Sequence, residues 1–255
     1  MDAVPKLTRT TIGTNMHQRA DRLLVERGLF ESRAKAQAAI EAGLVIADNL
    51  PVRKPSEQLA ADAVLRAQSP HPWVSRGGVK LAAALDRFGF SVADRVCLDV
   101  GASTGGFAEV LVARGARRVY AVDVGRGQLH PRLRERPEIV SFEATDIRVL
   151  DPAQLGQRPD FITIDVSFIS LKAVLPAVLA LAAPAAHLLA LIKPQFELRR
   201  SDLKKGIVRD PARHAAVCDD IATFVRSLGP TVAGIHRSPI LGGDGNTEFF
   251  IGAAT

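Results

Sequence analysis

At 255 residues the chain is long for one domain and sufficient for two of unequal size. An apolar fraction of 47% supports a packed core, and the two cysteines, Cys97 and Cys218, exclude a disulfide framework and lack metal-site spacing. A net charge of +6 with a pI near 9.7 admits a polyanionic partner without demanding one.

Residues 1–15 are polar and contain no apolar signal segment, while Met16 directly precedes the first patterned stretch. Residues 1–16 are therefore expected to form a disordered extension. Residues 17–68 read as a small α+β unit. Arg22-Leu23-Leu24-Val25 leads to Gly28, a helix stop; Ser32 caps a second helix from Arg33 to Ala42, which Gly43 ends. Leu44-Val45-Ile46 is a short strand turned by Asp48-Asn49, and Val52-Arg53-Lys54-Pro55 and Ala63-Val64-Leu65-Arg66 read as two more.

Proline-rich Ser69-Pro70-His71-Pro72 marks a linker, taken over 69–75. Beyond it, from residue 76 to 255, strands and helices alternate. Lys80 is expected to begin a helix after Ser75-Arg76-Gly77-Gly78. Apolar runs follow at Val96–Val100, Val119–Val122, Ile139–Phe142, Phe161–Ile164, Leu188–Ile192, Val232–Ile235 and Phe249–Ile251, separated by amphipathic Gly106–Arg114, Ser170–Ala182 and Pro211–Leu228. The alternation predicts an α/β fold with a mostly parallel, doubly wound sheet covered on both faces and a ligand site at the strands' carboxyl ends. Ala173 to Ile192 is uncharged over a membrane-spanning length. Pro176, Pro184 and His187 interrupt it, and a helix followed by a buried strand accounts for it better. No membrane partner is expected.

Asp99-Val100-Gly101-Ala102-Ser103-Thr104-Gly105-Gly106-Phe107 is a strand end, a small-residue turn and a helix start, which lets a ligand approach backbone closely. Such a turn serves several nucleotide-like cofactors. Asp123, ending the next strand about twenty residues on, is placed to bind ribose hydroxyls, and Asp146 after the third strand could meet an adenine amino group. Ser103 stands where a dinucleotide fingerprint has its second glycine. Taken together, these residues resemble an S-adenosylmethionine methyltransferase, and the resemblance implies cofactor contacts at Asp99, Gly101, Ser103, Gly105, Gly106, Phe107, Asp123, Asp146 and Asp165. No metal is expected.

A ribose hydroxyl is a weak acid, so methylating it requires a group that polarises it or takes its proton. A lysine serves only when desolvation or a second cation favours its neutral form, with a carboxylate to orient it. Ile164-Asp165 ends the fourth strand and Ile192-Lys193-Pro194 the fifth, while Glu248 starts the last. If that last strand runs antiparallel, Glu248 arrives at the same edge as Asp165 and Lys193.

The spacing of Arg19-Ala20-Asp21-Arg22-Leu23-Leu24, Gly28, Ser32-Arg33-Ala34-Lys35-Ala36, Ile40, Gly43 and Val45 resembles the S4 RNA-binding domain. Four further motifs resemble the TlyA family, whose methyltransferase domain is of the FtsJ/RrmJ type. They are Trp73–Leu81, Asp165–Leu171, Ile192–Glu197 and Lys205–Pro211. The resemblance implies a Rossmann-like domain with an antiparallel last strand, and a catalytic Lys-Asp-Lys-Glu tetrad at Lys80, Asp165, Lys193 and Glu248. Lys193 would be base or polariser and Asp165 its orienter. Lys80 would favour the neutral form of Lys193 and steer an RNA phosphate, and Glu248 would hold Lys80 or the ribose. It also implies cytidine 2′-O-methylation of ribosomal RNA by a cytoplasmic, monomeric enzyme acting on ribosomal subunits. Arg22, Arg33, Lys35, Arg53 and Lys54 would face RNA, as would Arg76, Arg126, Arg132 and Arg134; a solvated surface is the plainer reading for each. Asp146 departs from the family's frequent asparagine, and Arg126 from a frequent aromatic. A non-catalytic ribosome assembly factor, a membrane-active haemolysin and a small-molecule methyltransferase remain as other readings.

Overall fold

A computed structural model describes residues 17–203 and 206–255, save the side chain of Arg200. The expectations for residues 1–16 and for Lys205 lie outside the described residues. The chain divides into two compact units, one ending at Pro72 and the other covering Trp73–Thr255.

The first unit contains β1 (His17–Arg19), α1 (Ala20–Glu26), α2 (Arg33–Glu41), β2 (Val45–Ala47), β3 (Leu50–Pro51), β4 (Gln58–Ala60) and β5 (Leu65–Ala67). Strands pair antiparallel in two small sheets, β1 with β4 and β3-β2-β5. Ser32 caps α2 as expected, its hydroxyl accepting from the Lys35 amide. The strand expected over 52–55 does not form: the Val52 amide still donates to the Val45 carbonyl, but the Glu57 carboxylate takes the amides of Arg53 and Lys54. Leu23, Leu24, Ile40, Val45 and Val52 form the core. Beside them Asp21 is fully buried and accepts from Arg19, Arg33 and Gln37 at 2.8–3.0 Å. Those bonds, Arg19 first, hold its carboxyl well below the usual carboxylate range.

The second unit contains α3 (Arg76–Phe88), β6 (Val96–Val100), α4 (Gly106–Ala113), β7 (Arg118–Val122), α5 (Pro131–Arg134), β8 (Ile139–Phe142), β9 (Phe161–Ile164), α6 (Leu171–Leu181), β10 (His187–Ile192), α7 (Pro194–Glu197), α8 (Pro211–Ser227), β11 (Thr231–Arg237) and β12 (Phe249–Ala254). Seven strands form one sheet in the order β11-β12-β10-β9-β6-β7-β8. Its pairs are parallel except those of β12, which runs against both β10 and β11. Side chains alternate between two apolar layers. Val96, Leu98 and Val100 of β6 pack with α6 and α8, while Cys97 packs with α3 and α4. Burial on both faces explains why these strands read as continuous apolar runs.

The chain leaves β6 for β7 and β8 on one side, then returns to β9 on the other. The carboxyl ends of β6 and β9 therefore diverge at a switch point, the usual place for a ligand crevice. The register puts Val100 opposite both Val122 and Ile164, so the turns beginning at Gly101, Asp123 and Asp165 emerge together. Phe249 pairs with Ile192, which brings Glu248 and Lys193 to that same edge.

Helix α3 starts a turn earlier than expected and includes Gly77 and Gly78. These glycines serve close packing, not a helix break: a Cβ at Gly78 would enter the Trp73 ring, and one at Gly106 would enter Ser75. Trp73 thus packs within the second unit, and Val74, which the linker was expected to include, is buried with Leu129 and Leu133. Both cysteines are buried. Among the described residues, no helix is long and apolar enough to cross a membrane.

Candidate active site

Two ion pairs occupy the sheet edge. Lys80 Nζ lies 2.6 Å from Glu248 Oε2, both side chains nearly buried. Lys193 Nζ lies 2.6 Å from Asp165 Oδ1 and donates to Ser167 Oγ at 2.9 Å. Each element delivers its residue for a local reason. Lys80 sits in the second turn of α3, whose Leu81 and Leu85 face the core. Asp165 directly follows β9, and its amide bonds to the Val100 carbonyl, fixing it against the end of β6. Lys193 precedes Pro194, which opens α7. Glu248 enters β12, packed so closely that a Cβ at Gly242 would meet its carboxylate. The four expected residues therefore come together as two lysine–carboxylate pairs. Of the two partners expected for Glu248, Lys80 is in contact with it here.

A cavity of about 460 Å³ opens at the switch point. Gly101, Ser103, Asp123, Asp146 and Asp165 line it. Gly101 has φ +82°, and a Cβ there would fall 2.4 Å from the Asp165 carbonyl oxygen, so the turn is a cradle only glycine can form. Asp123 braces this turn, accepting from the Ser103 amide at 2.8 Å and the Gly125 amide at 2.7 Å. Asp146 is paired to Arg148, whose guanidinium first and backbone amide second hold its carboxyl below the usual range. An adenine amino group at Asp146 would share that carboxylate with Arg148.

Asp99, Gly105, Gly106 and Phe107 do not line the cavity. Gly105 and Gly106 shape the turn from behind, Gly105 beneath Leu129 and Leu133, and Phe107 stacks on Phe250 in the core. Asp99 shares the face of Cys97 and is fully buried, with Thr163 Oγ1 donating to Oδ1 at 2.8 Å and, among the described residues, no hydrogen-bond partner for Oδ2. Burial, reinforced by Asp165 and Asp123, pushes it up to about 7. A raised carboxyl contributes stability at low pH that is lost as pH climbs from the ordinary 3.8 through that value. Asp99→Asn is accordingly expected to stabilise the chain more at pH 8 than at pH 5, measured by urea unfolding. An equal effect at both would show that Asp99 ionises as easily folded as unfolded.

The expected basic residues are exposed except half-buried Lys35, and several are engaged. Arg33 donates to Asp21 and Lys35 to Glu31. In the segment after β7, Arg132 pairs with Glu109, Arg136 with Glu138, and Arg134 lies 3.8 Å from Glu143. Arg76 donates to the Leu241 carbonyl at 2.6 Å. Arg22, Arg53, Lys54 and Arg126 are exposed.

Several residues escaped sequence reasoning. Glu143 accepts the amides of Gly127, Gln128 and Leu129, which holds its carboxyl below the usual range and folds the loop flanking the cavity. Glu197 accepts from Ser170 Oγ and the Leu171 amide, tying the loop after β10 to the loop after β9. Burial pushes it up despite those bonds. Asn246 is buried and joins Gly206 and Val208 to the segment leading to Glu248. Phe168, three residues after Asp165, is 90% exposed with φ +64° and lies 5.0 Å from the Phe196 ring.

This sheet, with its single antiparallel strand, glycine cradle and edge of paired lysines and carboxylates, defines a methyltransferase. The FtsJ-like methyltransferase family model matches residues 73–255, and the S4 domain model matches residues 18–65. The chain belongs to the TlyA family of S4-bearing, FtsJ-like methyltransferases. YqxC of Bacillus subtilis, described as an rRNA methyltransferase, is 46% identical over 93% of this chain and 86% of its own length. The 16S/23S rRNA (cytidine-2′-O)-methyltransferase TlyA of Mycobacterium tuberculosis is 44% identical over 91% of this chain and 88% of its own length. A solved, hemolysin-named structure from Streptococcus thermophilus superposes with a TM-score of 0.75 at 39% identity, covering 95% of this chain and 90% of that one.

Proposed function

We propose that the chain transfers a methyl group from S-adenosyl-L-methionine to the ribose 2′-hydroxyl of cytidine in ribosomal RNA, of the small subunit, the large subunit or both. The observation that carries the reading is the pair of lysine–carboxylate contacts at one sheet edge, with Asp165 common to that edge and to the cavity. When bound, the cofactor supplies a methyl already activated on a sulfonium, so the protein's task is positioning and proton handling. The cradle at Gly101 and the carboxylates of Asp123 and Asp146 fit its nucleoside. Lys193 is where the proton of the ribose hydroxyl ends, and Asp165 orients the amine. Glu248 holds Lys80, which would steer an RNA phosphate.

RNA contacts are assigned to Arg22, Arg33, Lys35, Arg53 and Lys54 in the first unit and Arg76, Arg126, Arg132 and Arg134 in the second. The protein would act as a monomer on ribosomal subunits in the cytoplasm. Exposed Phe168 offers a face for the target base. Base–aromatic stacking is worth about 1–3 kcal/mol. Phe168→Ala should therefore raise the KM for RNA by about ten-fold, with the melting temperature unchanged because the ring buries almost nothing. Steady-state kinetics on purified subunits read this, and an unaltered KM would remove Phe168 from the substrate site.

The reading as a whole is tested by mapping ribose methyls on ribosomal RNA from cells lacking the gene. Cytidine 2′-O-methyls should vanish and return with the intact gene. An unchanged methyl pattern would overturn it.

A further inference from the structure

Lys193 carries the proposed proton chemistry, yet it does not line the cavity. Its side chain is only 10% exposed, whereas Asp165, Val166, Ser167, Phe168 and Ile169 form the adjacent wall. Its amine meets two groups of that wall, Asp165 Oδ1 at 2.6 Å and Ser167 Oγ at 2.9 Å. Asp165, as a carboxylate, can only accept from the amine. A hydroxyl both donates and accepts, and Ser167 is exposed to the cavity on its other side. Of the two wall groups that meet the amine, Ser167 is thus the one that carries a proton it can pass on.

We propose that Ser167 is a catalytic residue whose hydroxyl relays the ribose 2′-proton to Lys193, an inference that rests on the methyltransferase reading above. Before transfer, the Ser167 hydroxyl donates to the lone pair of a neutral Lys193 amine, and its oxygen accepts from the ribose 2′-hydroxyl. The ribose proton then passes to Ser167 Oγ as the serine's own proton passes to Nζ. The O2′–CH3 bond forms and the S–CH3 bond breaks, its electron pair staying on sulfur. The positive charge of the sulfonium reappears on the Lys193 ammonium, so atoms and charge balance. The arrangement in the structure, with Nζ donating to Ser167 Oγ and paired to Asp165, has the hydrogen bonding that the relay requires once the proton has been delivered. The loop that carries Ser167 continues through Phe168 in the left-handed conformation to Ser170, which is tied to Glu197.

The experiment compares Ser167→Ala and Ser167→Thr with the unaltered chain. Removing a group that transfers a proton typically costs about 10²–10⁴-fold in rate. Ser167→Ala should lower kcat by about 10²-fold, toward the lower end because a water can stand in, while the affinity for S-adenosylhomocysteine by calorimetry is unchanged. Ser167→Thr, which keeps the hydroxyl, should restore most of the rate. A rate that varies nonlinearly with deuterium content in mixed H2O/D2O, from two protons moving together, should become linear in Ser167→Ala. Independently of turnover, the exchange of the Lys193 ammonium protons, read by 15N NMR without cofactor, should accelerate in Ser167→Ala. Parental kcat in Ser167→Ala, or unchanged ammonium exchange, would overturn the relay. An unaltered chain that transfers no methyl to ribosomal RNA would instead overturn the methyltransferase reading, and the NMR comparison would still report on the contact itself.

Discussion

Lys193→Ala is expected to lower ribose methylation by about 10²–10⁴-fold while the affinity for S-adenosylhomocysteine stays within a factor of about three. The split follows from geometry. Lys193 is buried beside the cavity without lining it, so its loss removes no cofactor contact. It does remove the group that receives the proton and leaves Asp165 without its counter-ion. Lys193→Arg makes the test sharper. A guanidinium keeps the charge and can keep the pair with Asp165, but it cannot be deprotonated in a protein. If Lys193 acts as a base, arginine should be nearly as inactive as alanine. If it acts only as a fixed positive charge, arginine should recover much of the rate. Single-turnover methylation of purified subunits distinguishes the two, and full activity in Lys193→Ala would sink the mechanism.

How much of this was legible depends on which physical rule each residue obeys. Strands β6, β9 and β10 are apolar on both faces, so Val96–Val100, Phe161–Ile164 and Leu188–Ile192 are readable as runs bounded by turns. Asp165 and Lys193 follow directly from them, because a charged residue ending a buried run must sit at a sheet edge. Lys80 and Glu248 are 168 positions apart and meet only through the antiparallel course of β12, so the TlyA resemblance had to supply them. The start of α3 is misread because Gly77 and Gly78 look like a helix break, while their actual use is close approach to Trp73 and α4. Strands β1 and β4 are three residues each and show no alternation, since their partners are backbone groups across the small unit. Asp99 heads a cofactor motif by position, yet strand parity turns it toward the face of Cys97 and into the core. Ser167 and Phe168 carry no periodic signal. Their weight comes from what lies within 3 Å of a hydroxyl, and from a ring left in solvent.

Gly101→Ala should disable the chain by a different route, through the backbone. At φ +82° an alanine is held in a conformation that costs about 1–3 kcal/mol. Its methyl would also fall 2.4 Å from the Asp165 carbonyl oxygen and 2.8 Å from the carbonyl carbon. Backbone atoms cannot swing aside as a side-chain terminus can, so either β6 and β9 separate or the turn rearranges. Forced overpacking of this kind adds about 1–3 kcal/mol. A control isolates the two contributions: Gly245 has φ +85° but nothing within 4 Å of where a Cβ would stand, so Gly245→Ala carries the strain without the clash. Urea unfolding should show Gly101→Ala destabilised by more than Gly245→Ala, by the overpacking contribution. Relaxation of the clash displaces Asp165, which both lines the cavity and holds Lys193. Gly101→Ala should therefore lose affinity for S-adenosylhomocysteine by at least about ten-fold, equivalent to about 1.4 kcal/mol, at a temperature where the variant remains folded. Parental affinity in that variant would mean that the glycine turn is not the seat of the cofactor.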